Sequence, residues 1–180
     1  MRRLPLAWLT LACAVAACTA TPTPTEPSAD ACRQDLPPKT SPTDFPVGVL
    51  YVSGDDLPPV IGEVEWLGGE STVTREPPRA VNLERFIVLQ ARGESRVSLR
   101  MTDGVQIASW TVDALPEGTF RAGDFDSGRV RWSEGAEETS VVCVPVQDGQ
   151  WALIADVTFA DGEGHGTYYF RLNISETPAG

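Results

Sequence analysis

Histidine and lysine are nearly absent: the 180 residues hold one of each, His165 and Lys39. A single histidine excludes a His-based zinc or copper cluster. Any Ser-His-Asp arrangement would depend on that one residue, and no Gly-x-Ser-x-Gly precedes it. After Met1 the only methionine is Met101, which removes a Met-rich copper site. No Cys-x-x-Cys occurs, so a thiol oxidoreductase lacks its motif. No apolar run reaches the roughly 20 residues of a membrane span. Positive charge is scarce, with 14 Lys+Arg against 25 Asp+Glu and a net charge of −11. Such a surface repels phosphate backbones and anionic lipid, which argues against a nucleic-acid partner and a basic membrane patch. Acidic side chains keep an exported domain dispersed. The other use for them is to gather cations or a basic partner.

What is present begins with a leader. Arg2 and Arg3 open the chain, and Leu4 to Ala17 is mostly apolar, broken by Pro5 and Thr10. A positive start, a short apolar middle and small residues before a cut site are the parts of a signal peptide. The run ends in Val15-Ala16-Ala17-Cys18, which resembles a bacterial lipobox. The resemblance implies that residues 1–17 are removed and that the Cys18 thiol carries a diacylglyceryl group, with the mature chain on the extracytoplasmic face of the cell membrane. Cys13 is the rival acceptor, but Thr10-Leu11-Ala12 before it lacks the branched residue three back. One buried acyl chain anchors only marginally, at about 0.8 kcal/mol per CH₂, whereas two or three hold firmly. Loss of Arg2 and Arg3 takes the net charge from −11 to −13.

Residues 18–44 read as a linker. Thr19 to Ser28 is Thr-Ala-Thr-Pro-Thr-Pro-Thr-Glu-Pro-Ser, and proline at that density denies the chain both helix and ladder. A disordered, semi-stiff tether is expected, extending at about 3.1 Å per residue. With Cys18 spent on lipid, Cys32 and Cys143 remain. In an oxidising compartment two such cysteines pair, for a model gain of about 4–5 kcal/mol over so long a loop. The alternatives are a buried thiol at Cys143 or an intermolecular bond through Cys32.

Residues 45–175 alternate with period two and carry no convincing helical pattern, and 176–180 form a tail. Trp151, Leu153, Ala155, Val157 and Phe159 share one face of a strand. Tyr168, Phe170, Leu172 and Ile174 share one face of the next, with Thr167, Tyr169, Arg171 and Asn173 opposite. The Gly-rich stretch Ala160 to Gly166 reads as the turn between them, with His165 a solvated loop residue. This hairpin is expected at the centre of a sheet. Val47–Val52, Val60–Leu67, Leu83–Leu89, Val97–Met101, Val105–Val112, Val130–Trp132 and Val141–Val146 supply the other strands. The expectation is an all-β, antiparallel sandwich of about eight to ten strands with one core.

The expected strand architecture resembles the broad group of bacterial Ig-like sandwiches. More loosely, the whole chain is similar to small Gram-positive surface lipoproteins of unknown function, through Pro58-Pro59-Val60-Ile61-Gly62 leading to Trp66 and the closing hairpin with Trp151-x-Leu153 and Tyr168-x-Phe170-x-Leu172. The resemblance implies an Ig-like fold and brings no catalytic residues. The Cys…Trp…Cys pattern of Ig domains is not reproduced, because Cys32 precedes the first strand.

Two acidic clusters are the candidates for a metal. Asp124 and Asp126 stand two apart as in a calcium loop, but the sixth position lacks glycine and Gly135 occupies the twelfth. Asp161 and Glu163 keep the same rhythm with Gly166 sixth, but Leu172 is twelfth. Turn chemistry explains both more simply, and no cofactor is expected. Among the strand tryptophans core packing is the default. Trp110 shares its face with Ala108, Val112 and also Gln106, which places it at the sandwich edge, where an exposed Trp marks a contact surface. The sequence points to a non-enzymatic, lipid-tethered module that binds another envelope protein or a glycan. The alternatives are a small hydrolase using scattered carboxylates and a ligand-capturing accessory to a transporter.

Overall fold

The computed structural model describes residues 39–52, 54–69, 72–75, 97–122, 124, 127–145 and 147–175, together with the backbone of 88–92. The leader, Cys18, Cys32, Asp126 and the tail lie outside the described residues. Among the described residues eleven strands run in the order β1 (Gly48–Val52), β2 (Asp55–Leu57), β3 (Val60–Trp66), β4 (Val73–Arg75), β5 (Val88–Arg92), β6 (Val97–Met101), β7 (Ile107–Pro116), β8 (Val130–Gly135), β9 (Val141–Val144), β10 (Gly149–Phe159) and β11 (Gly164–Ser175). They form two sheets, one of order β2-β1-β6-β9 and one of order β4-β3-β11-β10-β7-β8. The fold is an all-β sandwich. The count exceeds the expected eight to ten because β2 and β4 are three-residue hairpin arms, too short for a period to show.

The β10–β11 hairpin is the axis of the larger sheet, paired from Gly149↔Ile174 to Thr158↔His165. β7 flanks β10. On the far side of β11, β3 pairs with Gly164–Tyr169 and β5 with Arg171–Ser175. The β5 pairing is parallel, an exception to the antiparallel pattern that period-two alternation cannot signal.

Alternation sorts the side chains as the sequence implies. Leu153, Ala155, Val157, Phe159, Tyr168, Phe170, Leu172 and Ile174 meet Leu50, Val52, Leu57, Val97, Leu99, Val142 and Val144 of the smaller sheet in one buried core. Trp66 and Trp132 are buried there; Trp66 meets Phe159 edge-on with ring centroids 5.4 Å apart, and Trp132 meets Trp151 at 5.2 Å. Full burial of a side chain of this size contributes about 1.5–3 kcal/mol. Tyr168 is fully buried and donates its hydroxyl to the Pro46 carbonyl at 2.8 Å.

Three local features depart from expectation. A five-residue helix, α1 (Glu117–Arg121), follows β7. It holds Gly118 and is far below the length at which a helix stands alone; Phe120 secures it against Leu115, Ala152 and Ile154. The turn between β10 and β11 is shorter than the glycines imply. Asp161 (φ 56°) and Gly162 (φ 73°) take left-handed conformations in a 3₁₀ turn over Ala160–Gly162, so β11 already starts at Gly164 and His165 is a strand residue. Asp103 and Gly104 repeat this turn between β6 and β7. Finally, the linker expected through residue 44 is tied down from Lys39. The Lys39 carbonyl accepts from the Asp103 N–H at 2.8 Å, and the Ser41 N–H donates to Asp103 Oδ1 at 2.9 Å.

Candidate functional site

The outer face of the larger sheet is divided. Towards α1 it carries Leu115, Ala152 and Ile154, covered by Phe120 and flanked by Val60 and Tyr169. Two carboxylates are buried beside this plug. Glu117 binds Arg171, with Nε to Oε2 at 2.6 Å and Nη2 to Oε1 at 2.8 Å, and also Arg121 at 2.7 Å. Asp113 is held by Arg129 and Arg131 from β8 and the segment before it. Burial alone would raise both carboxyls. The hydrogen bonds and charges of the paired arginines overcome that and hold each below the ordinary carboxylate range.

At the other end of the same face no helix among the described residues crosses the strands, and a cleft of about 680 Å³ opens. Its floor is built by register. Thr111, Asp156 and Thr167 stand side by side on β7, β10 and β11, with Glu134 of β8 opposite Thr111. Ser109, Thr158 and His165 form a second row across the same three strands, continued by Glu65 on β3. These residues alternate with the core-facing Val112, Val157 and Tyr168, so they face outwards. Glu134, Gly135 and Ala136 close the β8 side. Thr167 donates its hydroxyl to Asp156 Oδ1 at 2.6 Å. His165 Nδ1 lies 3.5 Å from Glu65 Oε2, and Nε2 lies 4.0 Å from Glu63 Oε1. Glu134 accepts from Arg131 Nη1 at 2.8 Å on the exposed rim.

Trp110 is half-buried and borders the cleft from below. Its ring packs under Gly135, where a Cβ would stand 2.3 Å from the ring, and its Nε1 donates to Ser133 Oγ at 3.0 Å. It therefore supports the β8 wall rather than offering a free stacking surface. The acidic candidates part company. The Asp124 carboxylate caps the Ser127 N–H at 2.9 Å, Asp161 is exposed on the 3₁₀ turn, and the Glu163 carbonyl accepts from the Leu67 N–H at 2.8 Å. Among the described residues no three His, Cys, Asp or Glu side chains are grouped to hold a metal ion. Cys143 is half-buried on β9 opposite Ser98; its expected partner Cys32 lies outside the described residues.

No family model matches the chain, and no curated protein matches it. The site therefore rests on its own geometry. Sequence reading missed the cleft, whose floor comes from three stretches some fifty residues apart or brought round by the hairpin. The outward hydroxyls at 109, 111, 158 and 167 were the available signal, but only the strand register sets them in rows.

Proposed function

We propose that the chain is a membrane-anchored extracytoplasmic lipoprotein, acylated on Cys18, whose sandwich is a non-catalytic binding module of the cell envelope. The observation that carries the binding role is the cleft on the outer face of the larger sheet, a concave surface lined by hydroxyl and carboxylate groups. Three edge strands favour the same surface: β2 and β4 are three residues long, and β8 carries charged side chains and a bulge opposite Val112/Asp113, devices that discourage strand addition. The other edge of the smaller sheet, β9, is short at four residues but uncharged. The buried acids also fit a non-catalytic role. General-acid catalysis at neutral pH needs a raised carboxyl pKa, whereas Asp113 and Glu117 are both lowered by arginine pairs.

Two measurements test this reading. Intact cells fed a clickable fatty acid should label the wild-type chain and not Cys18→Ser; label on the variant removes the anchor. Photo-crosslinking from position 158 in the cleft, on intact cells, should trap a specific envelope component that crosslinking from position 161 does not. Identical or empty patterns from the two positions remove the cleft.

A hydrolase is the second reading, and one observation favours it: Glu134 and Asp156 line the same cleft two strands apart, about 10 Å between backbones at the usual strand spacing. Paired carboxylates at such a separation serve glycoside hydrolysis when water fits between them. Turnover of envelope glycans that disappears in both Glu134→Gln and Asp156→Asn would establish it.

A further inference from the structure

The cleft lining is specific in what it offers. Four hydroxyls, Ser109, Thr111, Thr158 and Thr167, surround one floor carboxylate, Asp156. Asp156 Oδ1 is engaged by Thr167, while Oδ2 takes no hydrogen bond among the described residues. Among the described residues no arginine or lysine lines the cleft. The nearby arginines are paired: Arg129 to Asp113, Arg131 to Asp113 and to Glu134 on the cleft rim, and Arg171 and Arg121 to Glu117. On the β3 side, Glu63 and Glu65 flank His165. Tyr169, the next outward residue after Thr167, reports the local field. Its phenol is held above its ordinary value by burial first and then by Asp156; Arg129 opposes them, and Glu63 adds a lesser upward effect. The concavity thus sets acceptor groups and the Asp156 charge in a lining that is mostly apolar, a site under negative potential. Low-dielectric walls focus such a field towards cations.

We propose that the cleft binds an organic cation, an ammonium or guanidinium group, seated on Asp156 Oδ2 and ringed by the hydroxyls as acceptors. This rests on the binding-module reading and names its ligand chemistry. An ammonium has three donors and no acceptor, so a ring of hydroxyl oxygens with one carboxylate satisfies it. Two sources carry this group in an envelope, a basic side chain of a polypeptide and a free polyamine.

The test uses the full mature chain in detergent micelles, titrated by calorimetry and by tryptophan fluorescence, since Trp110 borders the site. The probes are an end-capped Gly-Lys-Gly peptide, the same peptide with Nε-acetyl-lysine, and spermidine. Saturable binding of a cationic probe is expected, at least tenfold weaker for the acetylated peptide and at least tenfold weaker in Asp156→Asn. Thr158→Lys, which places an ammonium in the cleft from within, should abolish binding even if Asp156→Asn disturbs the floor. Asp161→Asn, on the exposed turn, should bind as wild type. Preference for the peptide or for spermidine identifies the source. Equal binding of the acetylated peptide, unchanged binding in both cleft variants, an equal loss in Asp161→Asn, or no saturable binding of either cation overturns the proposal. If cations fail while crosslinking from position 158 still traps a component, the ligand chemistry falls and the binding module stands.

Discussion

The two halves of the larger sheet's outer face use the same strands for opposite ends. β7 presents Leu115 and Asp113 in one half and Thr111 and Ser109 in the other. β10 presents Ala152 and Ile154, then Asp156 and Thr158. In the first half a five-residue helix seals the surface, and each carboxylate there is matched by two arginines. In the second half, among the described residues, the strands lie open and Asp156 is met only by a hydroxyl. One half therefore stabilises the fold, and the other leaves polar groups available for a ligand. Substitutions that respect this division should separate stability from binding.

The largest effect is expected from Phe120→Ala, which removes the plug beneath α1. A loss of about 3–5 kcal/mol is expected in urea unfolding, as for buried Phe truncations generally. A loss below about 1 kcal/mol would show that the helix half does not support the sheet. Gly164→Ala comes next. Gly164 has φ +114°, and an added Cβ would stand 2.0 Å from the Glu65 carbonyl oxygen. Since Ala at a positive φ costs more than the about 1 kcal/mol gained where the conformation is compatible, a fall in melting temperature is expected, along with a shift in the His165 amide and ring signals by NMR.

Acid titration probes the sealed half directly. The folded pKa values of Asp113 and Glu117 lie below their ordinary values of 3.8 and 4.5, so their stabilisation is present above those values and is lost as pH falls through the folded pKa. The melting temperature should drop steadily below about pH 4.5, and Glu117→Gln should flatten part of that slope while lowering stability at neutral pH. A variant with the wild-type slope would show that the Arg171 pair is not linked to folding. The smallest effect belongs to the open half: Thr158→Ala, at an exposed position, should change stability by less than about 0.5 kcal/mol. A larger loss would mean that the cleft floor is part of the scaffold.

The hairpin, its two faces and the tryptophans of the core were legible in the sequence because each rests on alternation within one strand. What escaped depends on partners distant in the chain. α1 has no pattern of its own and exists because Phe120 finds a pocket on β7 and β10. His165 looked like loop because Gly162, Gly164 and Gly166 surround it, yet two left-handed residues reverse the chain before it. Asp113 lies just past the expected strand Val105–Val112 and carried no local signal; its two arginines lie sixteen and eighteen positions on, brought back by β8. The cleft is the extreme case, since no local rule couples Ser109 to Thr158 and His165.

The Tyr168 phenol has a mechanical consequence. It fastens the Pro46 carbonyl to the central strand of the opposite sheet, and the chain just ahead is stitched to the turn at Asp103. A pull arriving from before residue 39 meets these bonds before it can peel β1 from β6. Such a pull is delivered to Tyr168 on β11, directly beside Thr167 of the cleft floor.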